Sequence, residues 1–172
     1  MKDSKPFITI QTIVIIIIFS ALSAVGGLLK IPSPIGSIAF DSAPGYFCAA
    51  YFSPLIGAII GAAGHLSSAL TAGFPLGLNH LYVAFHMLLW CFCFGQLAQL
   101  IGGARGLIIA STVAIILNGA VSPLLLTISP FQPMPMKIAI GLIGFLILAS
   151  SANVIVAALA YRAISKLRIS GL

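Results

Sequence analysis

Long runs of apolar residues, separated by short segments rich in proline, glycine and serine, make up most of this chain. A helix that crosses a bilayer needs about 20 mostly apolar residues. Runs near that length predict five helices, over about 7–29, 54–71, 79–101, 105–128 and 136–164. A sixth, shorter helix is predicted over about 43–52, because Asp41-Ser-Ala-Pro44 is typical of a helix start. The alternative for this part of the chain is one long helix with a kink at Pro54.

The composition indicates a membrane environment for these helices. Of the 172 residues, 60% are hydrophobic and 6% are charged, whereas about a quarter of the residues in a soluble domain are charged. The segments between the apolar runs are too short to form a soluble domain. We therefore predict an all-α integral membrane protein, a single six-helix domain over residues 1–172.

The basic residues predict an orientation, since cytoplasmic loops carry an excess of positive charge. If both termini are cytoplasmic, six basic residues lie inside and two outside: Lys2, Lys5, Arg105, Arg162, Lys166 and Arg168 against Lys30 and Lys137. The three loops rich in proline and glycine, at about 30–42, 72–78 and 129–135, then all face outward. We therefore expect the function to lie at the outer end of the bundle.

The acidic residues exclude much of the chemistry that enzymes use, because Asp3 and Asp41 carry the chain's two side-chain carboxyl groups. Paired-carboxylate hydrolysis and most carboxylate metal clusters need more, and no Gly-x-Ser-x-Gly motif is present. Cys48, Cys91 and Cys93 lie in apolar runs and are expected to be buried free thiols. We predict that the protein is not an enzyme and holds no metal.

Polar side chains within a bilayer are costly and therefore mark candidate binding positions. On the fourth predicted helix, Asn79, Tyr82 or Val83, His86 and Trp90 form one stripe along the helix. Such a stripe could line a pocket for a neutral aromatic ligand, and the alternative is that it packs against other helices. Asn79 is also expected to cap the start of this helix.

Further candidates lie on other helices. His65 is near the middle of the bilayer, and Asn118 is predicted at the depth of His86. Asp41 is expected to cap the short helix, to accept a hydroxyl group of a ligand, or both. His65, His80 and His86 form a poor metal site, since no acid or thiol is placed near them.

Small residues form smooth faces on two of the predicted helices. They are Ser20, Ala24 and Gly27 on the first helix, and Gly57, Gly61 and Gly64 on the third. Such faces let helices approach closely. A face of this kind would also suit the docking of another membrane subunit.

Three segments carry a resemblance to a known family. They are Ile31-Pro-Ser-Pro-Ile-Gly-Ser-Ile, Asp41-Ser-Ala-Pro-Gly-Tyr46 and Ser53-Pro-Leu-Ile-Gly-Ala-Ile-Ile-Gly61. With the six-helix pattern, they resemble the S components of energy-coupling factor (ECF) vitamin transporters over nearly the whole chain. The resemblance implies a six-helix bundle in the cytoplasmic membrane of a prokaryote, which captures a vitamin at its outer side beneath the loop after helix 1.

The same resemblance implies partners, namely one transmembrane coupling (T) subunit and two ATPase subunits. ATP would be used by those partners, since this chain has no Walker A motif, and no cofactor is expected on it. Members of the family typically contact the coupling subunit through an Ala-x-x-x-Ala face on helix 1. The nearest matches are Ser20-x-x-x-Ala24 and Ala21-x-x-x-Val25, and Ser20, Ala21, Ala24 and Gly27 are the contact residues that this implies.

The substrate is also suggested by resemblance. The run from Gly64 to Gly77, followed by His80, is similar to the subgroup assigned to α-ribazole, a nucleoside precursor of cobalamin. Its ring would stack on Trp90 or Tyr46, and its ribose hydroxyls would bind Asn79, Asn118 or Asp41. The alternatives are hydroxymethylpyrimidine or thiamin, another B vitamin, a queuosine-like base, and a small oligomeric carrier or pore.

Overall fold

The computed structural model describes the backbone of residues 9–33 and 36–170, and their side chains except those of 30–38 and 167–170. Its elements in chain order are α1 (Ile10–Leu28), β1 (Lys30–Ser33), β2 (Gly36–Ala39), α2 (Ala43–Tyr51), α3 (Pro54–Thr71), α4 (Asn79–Ile101), α5 (Gly103–Ile116), α6 (Ser122–Leu125) and α7 (Met136–Ser170). A π-helical turn at Leu117–Val121 joins α5 to α6, and a 3-10 turn at Leu126–Ile128 follows α6.

The described part of the chain contains five segments long and apolar enough to cross a membrane. They are Ile10–Leu28, Pro54–Thr71, Asn79–Ile101, Gly103–Ile128 and Met136–Lys166. This confirms the predicted all-α membrane fold. The short helix α2 has nine residues, which span about 14 Å, less than half of the roughly 30 Å hydrocarbon core of a bilayer. It therefore lies within the bundle without crossing a membrane by itself.

The helical conformation is interrupted between α2 and α3, so the alternative of one kinked helix is wrong. Ser53 is extended, with φ −159° and ψ 141°, and Pro54 is the first residue of α3. Proline is well suited to this position because the first N–H groups of a helix have no partner within the helix. The break lets α2 and α3 fold back on each other.

Helix α2 forms the centre of the hydrophobic core. All residues from Ala43 to Ala50 are buried, and Tyr46, Cys48 and Ala49 are fully so. The helix packs against α1, α3, α4 and α7. Four longer helices therefore surround α2, and most of its surface is buried within the bundle.

The glycines of α3 serve this packing. A Cβ atom on Gly57 would collide with Ala49 of α2, and one on Gly64 would lie 2.7 Å from the Cβ of Ser23 on α1. Gly61 faces Cys91 of α4 in the same way. The small face predicted on α3 is thus occupied by helices of this chain, and it is not a free docking surface.

The segment after α1 contains a β-hairpin, where the sequence predicted an irregular loop. β1 and β2 pair antiparallel, with Lys30 opposite Ala39 and Ser33 opposite Gly36. The prolines of this segment exclude a helix but do not exclude a short two-stranded pair at its edge. The hairpin leads directly into the start of α2.

The start of α2 is capped by a distant side chain. The Oδ1 atom of Asn153 on α7 accepts hydrogen bonds from the backbone N–H groups of Ser42, at 3.1 Å, and Ala43, at 2.9 Å. Its Nδ2 donates to the carbonyl oxygens of Ala39, at 2.7 Å, and Ala149, at 3.0 Å. The prediction that Asp41 caps this helix is therefore wrong, because the amide of Asn153 already satisfies the N–H groups.

Asn79 does not cap α4 either. Leu78 holds the cap position, and no side chain bonds to the helix there. The Asn79 Oδ1 accepts from the hydroxyl of Ser129 at 2.6 Å, and its Nδ2 donates to the carbonyl oxygen of Gln132 at 2.7 Å. Asn79 therefore fastens the 129–135 loop to the start of α4.

Candidate functional site

A cavity of about 350 Å³ opens between α3, α4, the α5–α6 segment and α7, near the end of β2. Its polar lining residues are Asp41, Ser42, His65, Ser68, Asn118, Ser122 and Asn153. The remaining lining is apolar and comes chiefly from α4, α7 and residues 72–76. A largely apolar cavity with a few polar groups is the usual form of a small-molecule site, and this volume is at the lower end of the usual range.

The apolar wall is built by residues that carry no chemistry of their own. Val83 and Met87 contribute from α4, one turn apart, and Leu142, Phe145 and Leu146 contribute from α7. Phe145 supplies an aromatic ring in this wall. A flat ring placed here would therefore meet aliphatic side chains and one aromatic side chain.

Asp41 brings a carboxyl group to the cavity just before α2. The Ser42 hydroxyl donates to its Oδ1 at 3.0 Å. Burial raises the pKa of the Asp41 carboxyl above its ordinary value of 3.8, and hydrogen bonds from the Ser42 and Ser68 hydroxyls offset part of the rise. No lysine or arginine is among the residues that line the cavity in the part of the chain whose side chains the structure describes.

Asn118 lies on the π-helical turn that interrupts the α5–α6 segment. Such turns widen a helix locally and occur frequently at functional sites. The Nδ2 of Asn118 donates to the Ser150 hydroxyl at 2.8 Å. Its Oδ1 has no hydrogen-bond partner among the described residues, and the residue lines the cavity. Asn118 therefore brings to the cavity lining an amide whose oxygen is not used within the described part of the chain.

Three of the nine predicted binding residues, Asp41, His65 and Asn118, line the cavity. His80 lies behind the lining, with its Nδ1 atom 3.1 Å from Nε2 of His65. Tyr46 is fully buried in the core, with its ring edge-on to Phe94 at 5.1 Å. Its hydroxyl is buried and has no partner within the described part of the chain.

The polar and aromatic residues of the predicted stripe on α4 do not line the cavity. The rings of Tyr82, His86 and Trp90 form a column, with centroids 4.3 Å and then 5.9 Å apart. Trp90 donates from Nε1 to the Ser122 hydroxyl at 2.7 Å. Ser122 lines the cavity, so Trp90 fixes a lining group from behind and does not offer its ring to the cavity.

Two residues of α4 line the cavity: Val83, which was the alternative to Tyr82 in the predicted stripe, and Met87, one residue after His86. A shift of one residue turns the facing side by about 100°. Met87 was not predicted, because apolar residues face lipid, core and ligand alike and its position gives no distinguishing signal. Ser68, Ser122 and Phe145 were also missed, and a serine within an apolar helix is a weak signal because serine occurs in helix packing as well.

The predicted coupling residues of α1 separate into two groups. Gly27 is buried, and a Cβ on it would lie 3.1 Å from the Cβ of Ser68. Ser20 and Ala24 are half-buried, whereas Ala21 is exposed. Most of the small face of α1 is thus packed within the bundle, and Ala21 is the member that a partner could reach.

No group of three or more histidine, cysteine, aspartate or glutamate side chains that could hold a metal ion occurs among the described residues. Cys48, Cys91 and Cys93 are free thiols, with the first two buried.

Comparison with known proteins bears on the fold. No protein-family model matches the sequence, and no curated protein matches it. The structure is similar to that of the S component of a bacterial ECF transporter, with a TM-score of 0.63 and 23% sequence identity over 91% of this chain and 96% of that chain. The chain therefore has the fold of an ECF-transporter S component.

Proposed function

We propose that the protein is the substrate-binding S component of an ECF-type importer in the cytoplasmic membrane of a prokaryote. The observation that carries the proposal is a cavity with the polarity of a ligand site, set in a fold shared with such a component over 91% of the chain. The protein captures its substrate without chemical change and delivers it by reorienting within a larger complex.

The lining favours a substrate with an apolar ring and several hydroxyl groups. The ring lies against Phe145 and the aliphatic residues of α4 and α7. Asn118 Oδ1 and the Asp41 carboxyl accept hydrogen bonds from hydroxyl groups, and His65 and Ser122 face the same space. α-Ribazole, a benzimidazole ring with a ribose, fits this description.

The geometry revises how such a molecule would be held. Stacking on Trp90 or Tyr46 is replaced by contact with Phe145, since neither of the first two lines the cavity. Asn79 is replaced as a hydroxyl partner by Asn118, because both ends of the Asn79 amide bind Ser129 and Gln132. Thiamin is the alternative that Asp41 favours, since thiamin carries a positive charge and Asp41 is a carboxyl group.

The coupling partner docks, in this proposal, on the exposed side of α1. Ala21 lies there with large apolar side chains such as Ile17 and Leu22, which are 61% and 51% exposed. Beside them an apolar groove of about 440 Å³ runs between α1, α2 and α7. A transmembrane coupling subunit with two ATPases would supply the energy, as the fold family implies.

Uptake in cells tests the proposal. The chain is expressed in a host that lacks uptake of α-ribazole, thiamin and hydroxymethylpyrimidine, with or without a coupling subunit and two ATPases. We expect accumulation of one labelled compound only when all subunits are present. Accumulation by the chain alone, driven by the gradient, would instead favour a small carrier or pore.

A further inference from the structure

His65 and His80 form a pair that links the cavity to the loop between α3 and α4. His65 lines the cavity from α3. Its Nε2 lies 3.1 Å from Nδ1 of His80 on α4, and the ring centroids are 5.2 Å apart. On its far side, Nε2 of His80 accepts a hydrogen bond of 3.2 Å from the backbone N–H of Leu76. The three groups form a chain from the loop to the cavity.

The direction of each hydrogen bond follows from the one fixed donor. A backbone N–H can only donate, so Nε2 of His80 carries no proton. His80 is then neutral with its proton on Nδ1, and this N–H donates to Nε2 of His65. Nε2 of His65 is therefore an acceptor, and the proton of the His65 ring resides on Nδ1.

The loop is built to hold the Leu76 N–H in place. Gly73, Phe74 and Gly77 have positive φ angles of 76°, 51° and 53°. Such a conformation is uncommon for a bulky residue such as Phe74 and persists where the surroundings determine it. The Phe74 N–H bonds to the Ala69 carbonyl at 2.9 Å, and its ring packs edge-on against His80 at 5.5 Å. The same residue thus shapes the loop and supports His80.

We infer that His80 is a positioning residue that holds His65 in the tautomer with its proton on Nδ1, so that His65 offers a hydrogen-bond donor to the substrate. Nδ1 of His65 has no partner among the described residues, and the residue lines the cavity. The inference rests on the proposed function and adds a feature of the substrate. The bound molecule presents an acceptor, such as an unprotonated ring nitrogen or a carbonyl oxygen, at this position.

The imine nitrogen of a benzimidazole nucleoside is such an acceptor. A pocket with no donor at this position would leave the nitrogen buried without a partner, which is unfavourable for binding. The histidine pair therefore complements Asn118 and Asp41, which accept hydrogen bonds. Recognition of a ring acceptor separates such a substrate from one that carries only hydroxyl groups.

Nitrogen NMR of the ligand-free, detergent-purified protein tests the tautomer directly. The chain has three histidines, so each ring can be assigned by single substitution after ¹⁵N-histidine labelling. We expect the protonated nitrogen to be Nδ1 in both His65 and His80. His80→Ala should abolish this preference in His65, and His80→Asn should keep it, because the asparagine Nδ2 donates from nearly the same place.

The control is Ser67→Ala. The Ser67 hydroxyl on α3 donates to the Ala63 carbonyl, and Ser67 does not line the cavity. The substitution should leave the His65 signals unchanged. A wild-type His65 with its proton on Nε2 would overturn the inference. An Nδ1-protonated His65 that persists in His80→Ala would overturn it as well.

Titration with α-ribazole completes the test. His80→Ala should raise Kd by about 3- to 10-fold, the loss expected for one hydrogen bond, and His80→Asn should restore most of the affinity. Unchanged affinity in His80→Ala, despite an altered His65 tautomer, would contradict the role in recognition. If the wild-type protein shows the expected tautomers but does not bind α-ribazole, the proposed substrate is wrong and the positioning role of His80 stands.

Discussion

Asp41 shows at the scale of one residue how a buried acid that lines the cavity can oppose stability. Burial raises the pKa of its carboxyl above 3.8, and no lysine or arginine lines the described cavity to offset the charge. Because the folded pKa exceeds the unfolded one, the neutral carboxyl stabilises the fold fully below the unfolded pKa. That stabilisation is lost as pH rises through the folded pKa.

Asp41→Asn should therefore be at least as thermally stable as the wild type at pH 7, because it removes a buried charge and keeps an acceptor for the Ser42 hydroxyl. It should bind the substrate more weakly, since an amide oxygen is a weaker acceptor than a carboxylate. Thermal midpoints in detergent between pH 4 and pH 8 would check this. We expect the wild-type midpoint to fall with rising pH relative to that of the variant, and parallel curves would contradict the account.

The polar residues differ in how far the sequence could assign them. His65 and Asn118 were identified as binding candidates because polar side chains within apolar helices are costly, and Asp41 because it is an acid at the end of the loop after the first helix. All three line the cavity. The role of Asn153 in capping α2 could not be predicted. Its partners Ser42 and Ala43 lie more than 100 residues away in the chain. The residues next to Asn153 in the sequence do not indicate a contact with such distant residues.

At the scale of the elements, proline and apolar length carry most of the information. Pro54 is the first residue of α3, and Gly102, with φ 70°, ends α4. The side of α4 that faces the cavity could be predicted only in part. The polar and aromatic residues of α4 favoured one side of the helix, whereas the cavity is lined by the apolar residues Val83 and Met87 on the neighbouring side. The hairpin after α1 could not be predicted either, since the prolines and glycines of that segment indicate only that a helix is absent.

The cap on α2 gives a prediction at this scale. Asn153→Ala removes the acceptor for two backbone N–H groups and the donor to the carbonyl oxygens of Ala39 and Ala149. The N–H groups of Ser42 and Ala43 are then left without an acceptor, whereas the Ala149 carbonyl keeps its helical partner, the backbone N–H of residue 153. The two unpaired N–H groups should destabilise the fold by roughly 2 to 4 kcal/mol. The thermal midpoint in detergent should fall clearly.

Asn118→Ala is the matched control, because Asn118 is also an asparagine on a membrane-length segment, and within the described part of the chain its side chain bonds to Ser150 alone. It should weaken substrate binding more than it lowers the thermal midpoint. Equal losses of stability in the two variants would show that Asn153 has no special structural role.

At the scale of the whole molecule, capture and transport should be separable. Ala21 is exposed on α1 and does not line the cavity. Ala21→Leu should leave substrate binding intact and strongly reduce uptake, because a larger side chain disrupts close contact with a coupling subunit. Binding and uptake are measured on the same preparation of cells.

Ala104→Leu is the control for that substitution, since Ala104 is exposed at the start of α5, and it should transport normally. If Ala21→Leu transports as well as the wild type, the partner does not dock on this side of α1. If both variants fail to transport, a larger side chain at any exposed alanine impairs uptake, and the result does not assign the docking side to α1.

The central claim is that this chain captures a substrate by itself, and isothermal titration of the purified protein tests it most directly. α-Ribazole, thiamin, hydroxymethylpyrimidine and other B vitamins are titrated into the folded chain in detergent, without ATP or partner subunits. The account predicts saturable one-to-one binding of one compound, weakened in Asn118→Ala. Absence of binding across the panel, with protein that is folded and free of ligand, would contradict it.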